Sequence, residues 1–198
     1  MRTIVLATRN QHKLIELERI VASAGLDVEL KSVADFPGAP EVEETEDTFE
    51  GNALLKARAL SEFTGCEAIA DDSGICVDAL DGKPGIYSAR WSGATQDVDR
   101  TNLELVLEQI KSVPDGERGA QFVCAAAYVS PEGREFTSRG TVHGVLLHAP
   151  VGDNGFGYDP IFRPDGFDIT TAQMTPAQKD AISHRSQALA QLVQLITS

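Results

Sequence analysis

The sequence predicts an α/β protein with a mixed β-sheet, and three features of the chain carry that prediction. Ile4–Ala7 is a short apolar run typical of a buried strand, and apolar residues at helical spacing follow it. Ala68–Ala70 is a second such run, with a helical stretch before it. Ala120–Val129 is strongly apolar, and Pro131-Glu132-Gly133 turns the chain back into Phe136–Leu147, which indicates an antiparallel hairpin. A chain with both β-α units and a hairpin implies strands that run in both directions.

Four stretches with apolar residues at helical spacing predict helices. The first is expected to stop at Gly25, because glycine commonly ends a helix. The last follows Thr175-Pro176-Ala177-Gln178, which matches a capping box with proline at the first helical position. The apolar positions are Leu14, Leu17, Ile20 and Val21 in the first stretch; Phe49, Ala53, Ala57 and Leu60 in the second; Leu103, Val106, Leu107 and Ile110 in the third; and Leu189, Leu192, Val193 and Ile196 in the last.

Composition excludes several classes of protein. The 198 residues are enough for one domain with a good core. A net charge of -13 opposes the phosphate attraction on which nucleic-acid binders depend, so we expect no nucleic-acid polymer as a partner. Cys66, Cys76 and Cys124 lie far apart, which indicates neither a disulfide framework nor a zinc site. Because no apolar run approaches the ~18 residues of a membrane span, we expect a cytoplasmic protein that does not bind membranes.

The Ala68–Gly74 stretch is the strongest candidate for a functional site. The apolar run is predicted to end at Asp71, Asp72, Ser73 and Gly74, with Ile75, Val77 and Ala79 alternating as a further strand. Ligands in open α/β sheets bind outside the carboxyl ends of strands, and paired acids there can hold a hard divalent cation. The same four residues also fit an ordinary turn, so the stretch alone does not decide between the two interpretations.

The turn between the first strand and the first helix is a candidate anion site. A helix N-terminus that faces a strand end offers N–H groups and the positive end of a dipole. Thr8, Asn10 and Lys13 would add a hydroxyl, an amide and an ammonium. The alternative is an ordinary helix cap beside a solvated lysine.

An acidic run precedes the second helix, with five acids in the seven residues 41–47. Such a run usually means a solvated segment, yet Glu43 or Glu44 and Asp71 or Asp72 lie at the edges of adjacent elements. Asn52 and Lys56 lie four residues apart on one helical face, away from the apolar stripe. They are most simply surface residues, although Lys56 could reach a phosphate.

Two segments near the C-terminus are candidates for binding a planar ligand. The loop Gly152–Pro160 is rich in glycine but holds two aromatic residues, which could lay a ring against a ligand or anchor the loop in the core. His184, flanked by Ser183 and Arg185, lies beside a break in the apolar pattern.

Five motifs in register resemble one known family over almost the whole chain. They are Thr8-x-Asn10-x-x-Lys13, Ala70-Asp71-Asp72-Ser73-Gly74, Pro84-Gly85-Ile86-Tyr87-Ser88-Ala89-Arg90, Phe156-Gly157-Tyr158-Asp159-Pro160 and Ser183-His184-Arg185. Together they closely resemble the inosine triphosphate pyrophosphatase family, known in bacteria as the dITP/XTP diphosphatases. Arg9 is a departure, because bacterial relatives often have glycine at this position.

The resemblance implies a fold and an activity. The fold would be a single domain of residues 1–198, with a long curved mixed sheet, flanking helices and two lobes around a central cleft, in a homodimer. The activity would be Mg²⁺-dependent hydrolysis of the non-standard purine nucleoside triphosphates ITP, dITP and XTP to the monophosphate and pyrophosphate. Such an enzyme would keep these nucleotides out of DNA and RNA.

The resemblance also implies a role for each matched residue. Asp72 would be the base and, with Glu43, a ligand of Mg²⁺, while Glu44 stays open as the alternative ligand. Chemistry adds a hypothesis to the resemblance: a donor from Lys179, His184 or Arg185 to the 6-oxo group would reject adenine. We expect Arg185 to contribute this discrimination, and Phe156 to contribute mainly affinity by stacking. The triphosphate would contact Thr8, Arg9, Asn10, Gln11, His12, Lys13 and Lys56; Ser73 would touch the substrate; and Phe156, Gly157, Tyr158, Asp159, Lys179, His184 and Arg185 would hold the nucleoside.

Two other functions stay open on the sequence. A Maf-like enzyme of similar structure would cleave pyrimidine nucleotides. A non-catalytic sensor would bind inosine or xanthine triphosphate and release it intact, although a sensor would not need Asp71, Asp72 and Glu43 together.

Overall fold

The computed structural model of the chain describes residues 2–23 and 28–197, and the predicted stop at Gly25 lies outside them. No helix in these two ranges is long and apolar enough to cross a membrane. Within them, the strands are β1 (Arg2–Leu6), β2 (Val28–Ser32), β3 (Glu67–Val77), β4 (Gly119–Val129), β5 (Glu135–Leu146) and β6 (Phe162–Pro164), and the α-helices are α1 (Gln11–Ser23), α2 (Phe49–Thr64), α3 (Val98–Gln109), α4 (Pro176–Ile182) and α5 (His184–Thr197).

The strands form a mixed sheet in the order β2-β1-β3-β4-β5-β6. β1 pairs in parallel with β2 and β3, whereas β5 and β6 are antiparallel. β4 and β5 are neighbours joined by a turn in which the Ser130 N–H donates to the Arg134 carbonyl at 2.9 Å. A connection this short can join only antiparallel strands. The predicted α/β class with a mixed sheet is confirmed.

Helix termini follow the sequence signals at several places. Thr48 caps α2 by accepting a hydrogen bond from the Gly51 N–H at 3.1 Å, and α2 ends at Gly65 in the left-handed conformation. The predicted capping box is present at α4, where the Thr175 hydroxyl accepts from the Gln178 backbone and Pro176 takes the first helical position. These caps bond N–H groups that the first turn of a helix leaves without a partner.

The prediction that a strand ends at Ala70 is wrong, because β3 continues without interruption from Glu67 to Val77. The continuation depends on the 3-10 helix Gly85–Arg90, whose Ser88 hydroxyl accepts the N–H of Ile75 at 2.9 Å. Gly74 lies so close to the Gly85 carbonyl and the Ser88 hydroxyl that a Cβ atom would clash with both. Asp71 and Asp72 therefore lie in the middle of a strand.

The chain divides into two compact units, each with its own core. Unit 1 comprises Met1–Asp72, Cys124–Gly140 and Arg185–Ser198, and unit 2 comprises Ser73–Val123 and Thr141–His184. Two of these boundaries lie inside predicted motifs, between Asp72 and Ser73 and between His184 and Arg185. The core of unit 1 includes Ile4, Leu6, Leu17, Ile20, Ile69, Leu189, Leu192 and Ile196, and the core of unit 2 includes Ile75, Val77, Leu103, Val106, Ile110, Phe122 and Phe162.

Candidate active site

In unit 1, the carboxylate of Asp72 is buried on β3, with 4% of the residue exposed, and α2 holds it. Its Oδ1 accepts a hydrogen bond from the Lys56 ammonium at 3.2 Å, and its Oδ2 accepts one from the Asn52 amide at 3.3 Å. The prediction that Asn52 is a surface residue is wrong, because it is fully buried. Its amide oxygen accepts the N–H of Glu46 at 3.0 Å, so both ends of the amide are used inside the protein.

Lys56 joins Asp72 to a second carboxylate. Its ammonium lies 2.9 Å from Oε1 of Glu44 and 3.2 Å from Oδ1 of Asp72. Burial raises the pKa of Asp72, Lys56 opposes this effect, and the negative charge of Glu44 adds to it, so the pKa lies above its usual value. Burial alone would lower the pKa of Lys56, but the surrounding carboxylates raise it. Two carboxylates and one ammonium give this group one net negative charge.

The structure brings Glu44 to Asp72 through this shared lysine, whereas Glu43 is exposed. Sequence reasoning left the choice between the two open, because residues 41–47 precede a helix without forming a regular element of their own. A segment without helical or strand periodicity does not indicate which side chain faces inward.

Asp71, the residue before Asp72 on β3, binds two cationic side chains. Its Oδ2 lies 3.2 Å from the Lys13 ammonium and 3.3 Å from Nε of Arg185. Burial alone would raise the pKa of Asp71, but the charges of Lys13 and Arg185 hold it well below its usual range. Arg185 is 1% exposed, and its Nη1 also bonds to the carboxylate of Glu16. The buried ionic chain therefore runs Glu16–Arg185–Asp71–Lys13.

Glu16 is a member of this cluster that sequence reasoning missed. It lies on α1 three residues after Lys13, a spacing that brings the two side chains to one helical face. It is also 7% exposed and directly precedes the core residue Leu17. The spacing from Lys13 is the signal that could have identified it.

The predicted anion turn has the geometry of a helix cap. The side-chain oxygen of Asn10 accepts hydrogen bonds from the backbone N–H groups of His12 at 3.0 Å and Lys13 at 3.1 Å. Thr8 accepts the N–H of Asn10 at 3.2 Å, and Arg9 donates to the carbonyl of Ala39 at 2.8 Å. Gln11 and His12 are exposed. Lys13 also belongs to this turn, and its ammonium reaches the buried carboxylate of Asp71.

In unit 2, Asp159 is the centre of the Phe156–Asp159 loop, and 2% of it is exposed. Its Oδ2 accepts from the Lys179 ammonium at 2.6 Å and from the Phe156 N–H at 2.9 Å, and its Oδ1 accepts from the Thr171 hydroxyl at 2.8 Å. The Lys179 ammonium also lies 5.0 Å from the centroid of the Phe156 ring. A cation at this distance from an aromatic face is attracted to it.

Tyr158 and Gly157 donate hydrogen bonds to different residues of unit 2. The Tyr158 hydroxyl donates to the carbonyl of Ser88 at 2.8 Å, the residue is 5% exposed, and burial raises its pKa well above its usual value. Gly157 donates its N–H to Asp99 at 3.0 Å. The loop is thus anchored in the core at Tyr158, while Phe156 beside it is only partly buried.

His184 and Arg185 are adjacent in sequence but belong to different units. The ring of His184 lies parallel to that of Phe122, with centroids 5.0 Å apart and planes 12° apart. Ser73, on β3, is also in unit 2 and is partly buried. The predicted nucleoside residues are therefore in unit 2, with the exception of Arg185.

The carboxylates of unit 1 suit a magnesium ion that the substrate helps to bind. Among residues 2–23 and 28–197, no group of three or more His, Cys, Asp and Glu side chains is arranged to hold a metal. Mg²⁺, however, is commonly bound by one or two carboxylates together with water and substrate phosphates. Asp72 and Glu44 already share the Lys56 cation and have a net negative charge, which fits that type of ligand set.

Comparison with known proteins gives matches over the whole chain. The model of the Ham1 family matches residues 4–195. A dITP/XTP pyrophosphatase of Streptomyces coelicolor is 51% identical over 196 residues, which is 99% of this chain and 98% of the relative. A solved HAM1 protein of Coxiella burnetii superimposes with a TM-score of 0.88 at 37% identity, covering 100% of this chain and 99% of that one. A solved nucleoside-triphosphatase / dITP/XTP pyrophosphatase of Mycobacterium abscessus gives a TM-score of 0.78 at 50% identity, covering 96% of this chain and 98% of that one.

These matches confirm the family resemblance predicted from the five motifs. The chain belongs to the Ham1 family.

Proposed function

We propose that this protein hydrolyses the non-standard purine nucleoside triphosphates ITP, dITP and XTP to the monophosphate and pyrophosphate, which keeps them out of DNA and RNA. The observation that carries the proposal is the buried Asp72 carboxylate, fixed by Asn52 and Lys56 and joined through Lys56 to Glu44. The similar Streptomyces coelicolor protein, named as a dITP/XTP pyrophosphatase, supports the substrate class.

Asp72 is the proposed base. Cleavage between the α and β phosphorus atoms needs a group that orients water and accepts its proton, and cationic groups that stabilise the developing charge. Burial and Glu44 raise the pKa of Asp72, which favours proton acceptance, whereas a cation bound at the same carboxylate would lower this pKa. Hydrogen bonds from α2 to both carboxylate oxygens fix its orientation on the strand.

Asp72 and Glu44 are the residues that would hold Mg²⁺. The ion would supply positive charge that neutralises part of the charge developing in the reaction. Lys56 would donate to phosphate from the same place. The net negative charge of the three groups supports this role, and the exposure of Glu43 supports Glu44 over Glu43 as the second ligand.

The remaining predicted contacts divide by charge. Lys13, with the Thr8–Lys13 turn, would bind the triphosphate, and Asp71 would orient the Lys13 ammonium. Ser73 would touch the substrate, and the residues that would hold the nucleoside are Phe156, Gly157, Tyr158, Asp159, Lys179 and His184. Arg185 is kept as a proposed nucleoside contact, although its bonds to Asp71 and Glu16 favour an additional role in holding Asp71.

The proposal includes a setting for the enzyme. It would act as a single domain of two lobes around a cleft, as a homodimer, in the cytoplasm. Sedimentation equilibrium of the purified chain would give twice the mass of 21.2 kDa. A monomer at all concentrations would contradict the dimer without bearing on the chemistry.

The decisive experiment is a panel of triphosphates with detection of pyrophosphate. The panel contains ITP, dITP, XTP, ATP, GTP, CTP and UTP, each with Mg²⁺ and with EDTA. We expect pyrophosphate from the first three, loss of turnover in EDTA, and little product from the others. Preferential cleavage of CTP and UTP would favour the Maf-like alternative. Binding of ITP without any product would favour the sensor.

A further inference from the structure

Thr171 is a buried residue of unit 2 that neither the motifs nor the proposed reaction accounts for. It begins the 3-10 helix Thr171–Gln173 and is 4% exposed. Its hydroxyl lies 2.8 Å from Oδ1 of Asp159 and 3.1 Å from the carbonyl oxygen of the same residue. The hydroxyl has a single proton, and the shorter distance favours donation to the Asp159 carboxylate, with the carbonyl as the weaker acceptor.

Asp159 in turn holds two groups of the proposed nucleoside site. Its other oxygen, Oδ2, accepts from the Lys179 ammonium at 2.6 Å and from the Phe156 N–H at 2.9 Å. Because a carboxylate is planar and rigid, fixing Oδ1 also fixes the direction of the acceptor on Oδ2. The positions of the Lys179 cation and the Phe156 backbone thus depend on the Thr171 hydroxyl.

The backbone of the loop before Asp159 leaves room for the Asp159 carboxylate. Gly155 has a φ of +76°, a conformation that favours glycine, and a Cβ atom at this position would overlap the Asp159 carboxylate. The absence of a side chain lets the Phe156 N–H approach Oδ2. This observation does not depend on the hydrogen bonds of Thr171, and it also identifies the Asp159 carboxylate as the centre of the loop.

The charge of the cluster indicates which part of a nucleotide it suits. Asp159 and Lys179 together carry no net charge, and both are buried. A pair without net charge exerts little long-range attraction on a phosphate, but it can still direct hydrogen bonds to a neutral group. An aromatic ring beside such a pair suits a planar, neutral and polar group, such as a purine base.

We propose that Thr171 is a positioning residue for the nucleobase: its hydroxyl fixes the Asp159 carboxylate, which sets the Lys179 ammonium and the Phe156 loop to receive the purine. This inference rests on the proposed function, since it assumes that unit 2 binds the base of the substrate. Thr171 does not touch the base; it acts through Asp159.

The neighbouring Thr170 provides a matched control. It is equally buried, and its hydroxyl donates to the carbonyl of Val151 at 2.6 Å instead of to Asp159. Thr171→Val and Thr170→Val each remove one buried hydroxyl from the same segment without changing its volume much. Thr171→Ser keeps the hydroxyl and serves as the rescue variant.

The experiment measures two inhibitors that separate the base from the phosphates. Inosine monophosphate contains the base, and inorganic tripolyphosphate does not. For Thr171→Val we expect the inhibition constant of inosine monophosphate and the KM of ITP to rise about five- to tenfold, as the loss of one hydrogen bond to a charged group permits. The inhibition constant of tripolyphosphate and kcat should stay within about twofold, and Thr171→Ser should restore inosine monophosphate binding.

The control distinguishes positioning from general loss of structure. Thr170→Val should lower the melting temperature by at least as much as Thr171→Val while leaving both inhibition constants within about twofold. The inference is overturned if Thr171→Val leaves both inhibitors unchanged, weakens both equally, or matches Thr170→Val. If the wild-type protein cleaves ITP but Thr171→Val behaves in one of these ways, only the inference fails. If the wild-type protein neither cleaves ITP nor binds inosine monophosphate, the proposed function fails with it.

Discussion

The clusters of charge in the two units differ in size and in balance. Unit 1 gathers three cations and four carboxylates on β3, α1, α2, α5 and the acidic segment before α2. The members of this unit 1 cluster are Lys13, Lys56, Arg185, Glu16, Glu44, Asp71 and Asp72. In unit 2, the Asp159–Lys179 pair is held by a hydroxyl and a backbone N–H and lies beside an aromatic ring.

The difference indicates which chemistry each unit can perform. Several ionised groups in one buried cluster can rearrange when phosphate and a metal enter, because each cation can exchange a carboxylate partner for a phosphate oxygen. The Asp159–Lys179 pair has no net charge and is fixed by hydrogen bonds. It therefore presents a fixed pattern of donors and acceptors to a ligand. We therefore propose that reactivity belongs to unit 1 and recognition of the base to unit 2, and the following predictions test this division.

The largest effect is expected from Asp72→Asn in unit 1. The substitution keeps the shape of the side chain but removes its capacity to accept a proton, and loss of a general base typically lowers kcat by about 10²–10⁴-fold. Binding of inosine monophosphate, measured by calorimetry, should persist, because the proposed contacts to the base lie in unit 2. Turnover close to that of the wild type at saturating Mg²⁺ would show that Asp72 is not the base.

The second effect concerns stability and is expected from Arg185→Ala. Removing one partner of a buried ion pair typically costs about 3–5 kcal/mol. Here Glu16 and Asp71 both lose the Arg185 cation, although Asp71 keeps Lys13. Urea denaturation measures the free energy of unfolding. The control is Arg100→Ala, which removes an exposed pair with Glu104 and should cost at most about 0.5 kcal/mol.

The same variant tests the discrimination predicted from the motif. If Arg185 donates to the 6-oxo group of the base, Arg185→Ala should reduce the ratio of kcat/KM for ITP to that for ATP, because adenine presents an amino group there. If Arg185 acts only through Asp71, both substrates should lose activity equally and the ratio should stay constant. The second result would place base recognition wholly in unit 2.

A smaller effect is expected from Lys13→Met. One of the two interpretations of the sequence was a solvated lysine beside a helix cap, but the ammonium is paired with buried Asp71. We therefore expect a loss of about 1–3 kcal/mol on unfolding, less than for Arg185→Ala because Asp71 keeps the arginine. The KM for ITP should rise, and the difference from the wild type should shrink at high salt. An unchanged KM would leave Lys13 with a structural role alone.

The sequence predicted the mixed sheet, the core-facing positions of the helices and the family, because these depend on periodicity and on motifs many residues long. It predicted the wrong end for the strand of Asp71 and Asp72. Asp, Ser and Gly favour turns locally, and the partner that keeps β3 extended, Ser88, lies 13 residues away from Ile75. Local propensity cannot detect a hydrogen-bond acceptor that tertiary structure supplies.

Sequence reasoning also missed three buried polar residues, each for a related reason. Asn52 was predicted to be exposed because it lies off the apolar stripe of α2, yet Asp72 and the Glu46 backbone satisfy it inside. Glu16 and Thr171 follow no motif that was used. A polar side chain can be buried wherever partners complete its hydrogen bonds, and the sequence does not show where those partners meet.

The smallest effect on activity is expected from Tyr158→Phe, which tests whether every residue of the predicted loop serves recognition. The hydroxyl donates to the Ser88 carbonyl inside unit 2, so its loss should lower the free energy of unfolding by about 1 kcal/mol. Thr171→Val should cost a similar amount, since it also removes one buried hydroxyl. The two variants should nevertheless differ in binding. Tyr158→Phe should leave the inhibition constant of inosine monophosphate within about twofold, because its hydroxyl bonds to Ser88 rather than to the carboxylate that orients Lys179 and Phe156. A fivefold weakening by Tyr158→Phe would mean that the tyrosine hydroxyl contacts the nucleoside after all, as the motif implies, and that base recognition in unit 2 extends beyond the Asp159–Lys179 pair.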